Sequence, residues 1–175
     1  MAKHINQIFV LILLINISIV ANQLCLRQQA KIKSIVRAHY KNAFSQYKGA
    51  LISSKILIGF VGGNNGSCLR DNIYTFNLYT ESPIGYSIDL ALIQKYEINT
   101  LKIWFWDGDN RYYNVKITIL LDGEETQIYN NLARNILTIT FPSQIVSELR
   151  ILNIAGNTYN TQLHVIKVEA FYKLS

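Results

Sequence analysis

The stretch Ile98-Asn-Thr-Leu-Lys-Ile-Trp-Phe-Trp-Asp-Gly-Asp-Asn-Arg-Tyr-Tyr113 decides the fold. Leu101, Ile103 and Phe105 alternate with Lys102, Trp104 and Trp106. A side-chain period of two marks a strand with one face on a core. The alternation stops at Asp107-Gly108-Asp109-Asn110, residue types that favour loops.

The same period recurs on both sides of this stretch. Ile84, Tyr86, Ile88 and Leu90 alternate with Gly85, Ser87 and Asp89. Val115, Ile117, Ile119 and Leu121 alternate with Asn114, Lys116, Thr118 and Leu120. Leu137, Ile139 and Phe141 form a further run, and so do Leu149 and Ile151. In the last run Leu163, Val165, Lys167, Glu169 and Phe171 share one face, and His164, Ile166, Val168 and Ala170 the other. Asp122-Gly123 between two runs is a hairpin signal. Pro142 is expected just beyond a strand, where its missing N–H costs no ladder bond. Many short strands at this spacing predict a mainly β protein, a jelly-roll sandwich over residues 56–173.

Two motifs carry a resemblance. The first is the apolar strand ending in Trp106-Asp107-Gly108-Asp109-Asn110-Arg111-Tyr112. The second is Leu149-Arg-Ile-Leu-Asn-Ile-Ala-Gly-Asn-Thr-Tyr-Asn-Thr-Gln-Leu-His-Val165, in which Asn157, Thr158, Asn160, His164 and Val165 hold the register. Together they resemble the discoidin, or coagulation factor V/VIII type C, domain, a galactose-binding-like fold. The resemblance is nearest to the discoidin-like domains that follow BTB domains in eukaryotic adaptor proteins, although no BTB domain is present. The opening loop, residues 62–75, is a weaker match, with Asn72 where the family commonly has Gly. The resemblance implies a sandwich over about residues 60–172 that binds sugars, phospholipids or proteins through loops at one end. It makes Asn64, Asn65, Asp71, Asp107, Asp109, Arg111, Tyr112, Asn157 and Asn160 the candidate interaction residues, with Trp106 and His164 as structural ones.

The residues argue against catalysis and against a bound metal or cofactor. An EF-hand needs oxygen ligands at alternating positions, and Arg111 stands at the third of them after Asp107 and Asp109. The carboxylates are expected to hold Arg111 and loop N–H groups. His164 has no nucleophile-elbow serine to serve, and is read as a buried histidine donating to loop backbone near Asn157 or Asn160. Gly62-Gly63-Asn64-Asn65-Gly66 precedes no helix and is no phosphate cradle. Trp104 and Trp106 suit stacking on a ligand, and equally suit packing.

The N-terminal part differs in kind. Residues 1–70 hold nine Lys or Arg and no acid; residues 71–175 hold eight Lys or Arg and all eleven acids. Basic charge confined to an appendage points to targeting or a membrane surface and away from nucleic acid. Residues 8–21, IFVLILLINISIVA, fit a signal-peptide core, and residues 5–26 fit a poor transmembrane span. Arg27, Lys31, Lys33, Arg37 and Lys41 follow this run, a flank that favours retention as an anchor. Residues 1–23 are therefore read as an anchor or signal segment. Residues 24–50 are read as a basic amphipathic helix, stopped by Gly49. Cys25 and Cys68 are either two separate thiols or a disulfide, and Asn65-Gly66-Ser67 is a glycosylation sequon if the chain is secreted. The function expected is a non-catalytic accessory subunit of a membrane-associated complex, with other protein subunits as partners. The mitochondrial inner membrane is favoured over the secretory pathway. The alternative is a secreted lectin-like or lipid-binding module.

Overall fold

A computed structural model of the chain describes residues 41–54, 58–62, 67–71 and 74–174. Among the described residues, eight antiparallel strands run in the order β1 (Leu51–Ile52), β2 (Gly59–Val61), β3 (Tyr79–Pro83), β4 (Ser87–Phe105), β5 (Tyr113–Leu121), β6 (Glu124–Ala133), β7 (Ile136–Asn157) and β8 (Gln162–Phe171). The two long strands, β4 and β7, make the sandwich. Residues 87–98 of β4 pair with residues 144–152 of β7, and β5, β6 and β1 complete that layer. Residues 100–105 of β4 pair with residues 136–140 of β7 and with β8, and β3 and β2 complete the other.

Both strands cross between layers at one place. Ile98 pairs with Gln144 and Thr100 with Thr140, so three residues of β7 face Asn99 alone. Pro142 is one of the three. It lies inside β7, not beyond it, because a bulge leaves its missing N–H without consequence. The core lies between the layers. Ile88, Leu90, Val115, Ile117, Leu149 and Ile151 from the first layer meet Leu101, Ile103, Leu163, Val165, Val168 and Ala170 from the second, all fully buried.

Two expected strand patterns change for local reasons. Ile84 and Tyr86 belong to the turn before β4, with Gly85 at φ 82° between them, and both are exposed. In β8, Trp104 pairs with Lys167 but Phe105 with Val165, so Ile166 is a bulge residue. One extra residue reverses the faces beyond it. Val168 and Ala170 therefore share the core side with Leu163 and Val165. The Asp122-Gly123 hairpin turn is present, with φ of 52° and 90° suited to a tight primed turn.

The helix expected over residues 24–50 is not continuous through its described part. Residues 24–40 lie outside the described residues, and residues 41–50 form turns around the 3-10 segment Gln46–Lys48. Tertiary pairing overrides the helical spacing here. The Asn42 side chain accepts from the N–H of Ala170 and donates to the Val168 carbonyl, and the Ala43 N–H donates to the Ala170 carbonyl. Ala43 and Phe44 are buried in the core. Residues 42–44 and β1 thus pack with the strands of the sandwich. Gly49, at φ 77°, ends the 3-10 segment.

One polar side chain, Asn153 on β7, ties the core together. It is fully buried. Its Nδ2 donates to the Ser82 carbonyl on β3 (2.8 Å) and to the Thr161 carbonyl (3.0 Å), and its Oδ1 accepts from the Gly156 N–H (2.7 Å). Replacing Asn153 with Leu strands three backbone groups in a dry site. The expected loss is about 3 kcal/mol or more, read by urea denaturation.

Candidate functional site

One end of the sandwich collects three connections: residues 106–112 after β4, residues 158–161 after β7, and residues 74–78 before β3. Asn110, at φ 61°, turns the first connection, and its N–H donates to the Asp107 carbonyl (2.8 Å). That turn sends Arg111 inward, where it is 7% exposed. The guanidinium satisfies Asp109 twice, through Nε to Oδ1 (2.7 Å) and Nη2 to Oδ2. Its Nη1 reaches His164 Nδ1 on β8 at 3.0 Å. The same group lies 4.4 Å from the Trp106 ring centroid and 5.6 Å from that of Tyr159. Tyr159 Oη closes the circuit by donating to the Asp109 carbonyl (3.0 Å).

The proton arrangement follows from this geometry. Arginine only donates, so His164 Nδ1 is an acceptor and its proton sits on Nε2. Nε2 faces Glu81 Oε2 at 3.7 Å. Burial, reinforced by the Arg111 charge, lowers the His164 pKa to about 4. The imidazole is therefore neutral at pH 7 and its approach to Glu81 is no ion pair. Hydrogen bonding to Arg111 holds the Asp109 carboxyl below its usual value. Burial drives the Tyr113 hydroxyl well above its usual pKa, and that hydroxyl donates to the Trp106 carbonyl.

The connection between β7 and β8 is closed by its own asparagines. Asn157 Nδ2 donates to Asn160 Oδ1 and to the Gln162 carbonyl, both at 2.6 Å, and Asn157 Oδ1 accepts from the N–H groups of Tyr159 and Asn160. His164 does not donate to backbone near Asn157 or Asn160. The backbone groups there are already taken, and the ring turns to Arg111 instead. Gly156, at φ 78°, lets the chain pass so close that an added Cβ would stand 2.5 Å from the Asn160 carbonyl oxygen. The Tyr112 N–H donates to Thr158 Oγ1 (3.0 Å), which joins this connection to residues 106–112.

Asp109, Arg111, Tyr112, Asn157, Asn160, Trp106 and His164 thus come together at one end, with Asp107 in the turn beside them. Asn64 and Asn65 lie outside the described residues. Asp71 is half-buried beside the 3-10 segment Ser67–Leu69, and its carboxylate field reaches Cys68. Cys68 is buried and free, 3.8 Å from Thr80 Oγ1; Cys25 lies outside the described residues. Sequence reasoning missed Phe76 and Tyr79. Phe76 packs on Trp106 at 5.7 Å and Tyr79 on His164 at 4.6 Å between ring centroids. Both precede or open a strand that has no strong alternation, so no periodic signal marked them.

The outer skin of this end is aromatic. Tyr159 is 62% exposed, Tyr74 49%, Tyr112 40% and Phe76 39%. Arg134 caps the Tyr112 ring at 4.8 Å. Among the described residues no cluster of three or more His, Cys, Asp or Glu is placed to hold a metal. A concavity lies on the outer face of the first layer, where Arg150 bridges Asp89 (3.3 Å) and Glu125, and Ser53 Oγ donates to Glu148 (3.4 Å).

No protein-family model matches the chain, and no curated protein does. Solved structures do match. The carbohydrate-binding module CBM32 of AlyQ, in complex with 4,5-unsaturated mannuronic acid, superposes with a TM-score of 0.55 at 18% identity, over 67% of this chain and 95% of that one. The family 32 module of NanJ from C. perfringens, in complex with galactose, gives 0.57 at 16% identity, over 74% and 98%. A pectin-binding carbohydrate-binding module gives 0.54 at 12% identity, over 70% and 95%. The fold is the discoidin-like, galactose-binding-like sandwich. A truncated AlyQ that carries an alginate lyase domain beside its CBM32 is matched over only 33% of its length. Identities this low establish the fold alone.

Two outcomes test the site. Arg111→Ala leaves Asp109 and His164 without their partner and removes the cation from Trp106. Asp109 is partly solvated, so the expected loss is about 2–3 kcal/mol, measured by chemical denaturation. His164 gives a pH signature. The unfolded imidazole takes its proton near pH 6.5 and the folded one near 4, so the unfolded state binds more protons between those values. The contribution is complete above pH 6.5 and is lost as pH falls through that window, by on the order of 3 kcal/mol. NMR of the His164 ring protons should titrate near pH 4, and His164→Gln should flatten the acid limb of the stability curve.

Proposed function

We propose that the protein is a non-catalytic binding module whose loop end takes a saccharide. The observation that carries this reading is the exposed aromatic surface of Tyr159, Phe76 and Tyr112 on a base held rigid by Arg111. A sugar ring presents apolar C–H faces and a rim of hydroxyls. Aromatic faces meet the first, and the Asp107 carboxylate, the outer side of Asp109 and the Asn160 amide meet the second. Rings fixed before binding lose little conformational entropy on contact. The matched carbohydrate-binding modules support the same reading, since those named above are described with a sugar or as pectin-binding.

Glycan-array screening followed by titration calorimetry on the best hit is the test. Tyr159→Ala and Phe76→Ala should each weaken binding about ten-fold or more, at a stability cost of about 1 kcal/mol each from the lost bond to the Asp109 carbonyl and the lost packing on Trp106. Binding to no glycan, or binding indifferent to both substitutions, would contradict the reading.

The acid-free N-terminus favours a second reading. In it the sandwich is an accessory subunit of a membrane-associated complex, in the mitochondrial inner membrane, and the loop end meets another subunit. Mass spectrometry of the mature protein separates the two. Cleavage near residue 21 with a hexose-bearing Asn65 fits the saccharide module. An intact N-terminus in a purified membrane complex fits the subunit.

A further inference from the structure

The end of the sandwich remote from the loops has a different chemistry. Residue 162 of β8 lies beside the loops, and Ala170, eight residues along the strand, receives the incoming chain at Asn42 and Ala43. At about 3.3 Å per residue the two ends lie roughly 25 Å apart. Around Gly49 this remote end exposes Tyr47 (79%), Ile93 (71%) and Leu51 (54%). They form one patch. Ile93 packs so closely on Gly49 that an added Cβ would stand 2.3 Å from its Cδ1, and Leu51 pairs with Ala91, two residues before Ile93.

Two lysines, Lys41 and Lys48, lie on the Tyr47 side of the patch. Lys48 Nζ reaches the Lys41 carbonyl at 3.4 Å and sits 5.1 Å from the Tyr96 ring. Burial, and to a lesser degree the Lys41 charge, lower the pKa of Lys48. Lys41 and Lys48 have no carboxylate partner among the described residues. Asp122 pairs with Lys95 at 2.7 Å. Large exposed apolar side chains set among lysines suit the boundary of an anionic bilayer, where rings and branched chains enter the acyl layer and ammonium groups stay with the headgroups.

We infer that this end of the sandwich, through Tyr47, Ile93 and Leu51 with Lys41 and Lys48, seats against an anionic lipid surface and turns the loop end away from it. The inference stands apart from the saccharide reading: it names a surface that shares no residue with the loops. Among the described residues no helix is long and apolar enough to cross a membrane, and none is needed for this contact.

The test uses the full chain in a Cys25→Ser background, with Cys68 shielded by burial. Single nitroxide labels are placed at Tyr47→Cys, Ile93→Cys and, as a loop-end control, Thr161→Cys. The protein is bound to vesicles of phosphatidylcholine with phosphatidylserine. Labels at 47 and 93 should favour collision with oxygen over a water-soluble nickel chelate, and the label at 161 should favour the chelate. Pure phosphatidylcholine, or Lys41→Glu with Lys48→Glu, should return 47 and 93 to the chelate. Chelate access at all three sites on the mixed vesicles overturns the inference. Immersion of 47 and 93 that is indifferent to lipid charge overturns the part assigned to the lysines.

Discussion

A single buried guanidinium constrains the end of the molecule where binding is proposed. Arg111 cannot lose its charge, so its surroundings must satisfy it in place. Asp109 does so from two residues away, which shapes the connection after β4. His164 does so from β8, which fastens that connection to the second layer. Trp106 and Tyr159 offer ring faces, which draws in the connection after β7. The neutral state of His164 follows from the same charge. One cation therefore sets a loop conformation, a histidine tautomer and the orientation of two aromatic rings.

The architecture beneath depends on a different constraint. β4 and β7 each serve both layers, and each must bend at the same level to do so. The bulge at Asn99 opposite residues 141–143 provides the bend and accommodates Pro142. Asn153 then joins the first layer to β3 and to the loop end through three backbone groups. A sandwich built this way has its connections gathered at two ends, which permits different chemistry at each.

Much of this was legible in the residues. Leu101, Ile103 and Phe105, and Val115, Ile117 and Ile119, alternate cleanly and do line the core. The Asp122-Gly123 turn is where its residue types put it. Bulges were harder to read: the face that begins with Leu163 and Val165 continues as Lys167 and Glu169, which strict alternation does not explain, but nothing in the run from Leu163 to Phe171 says that Ile166 is the extra residue. Residues 41–50 carry helical spacing, yet Asn42 and Phe44 are claimed by β8 and the core. At the loop end, Arg111 and Asp109 stood out by charge, whereas Phe76 and Tyr79 did not, since single aromatic residues outside a periodic run carry no positional signal. Asn153 was hidden in the same way, as a polar residue on a core face.

The fold by itself assigns no ligand. What favours a saccharide is the meeting of exposed rings with carboxylate and amide groups on a base that does not need to move. The most direct measurement is an amide and aromatic NMR titration of the protein with the saccharide selected by glycan screening. The account predicts shifts confined to residues 74–78, 106–112 and 157–161, with the Tyr159 ring among the largest and the Asn153 signals still. Shifts centred on the groove at Asp89, Glu148 and Arg150, or no shifts at saturating saccharide, would contradict it.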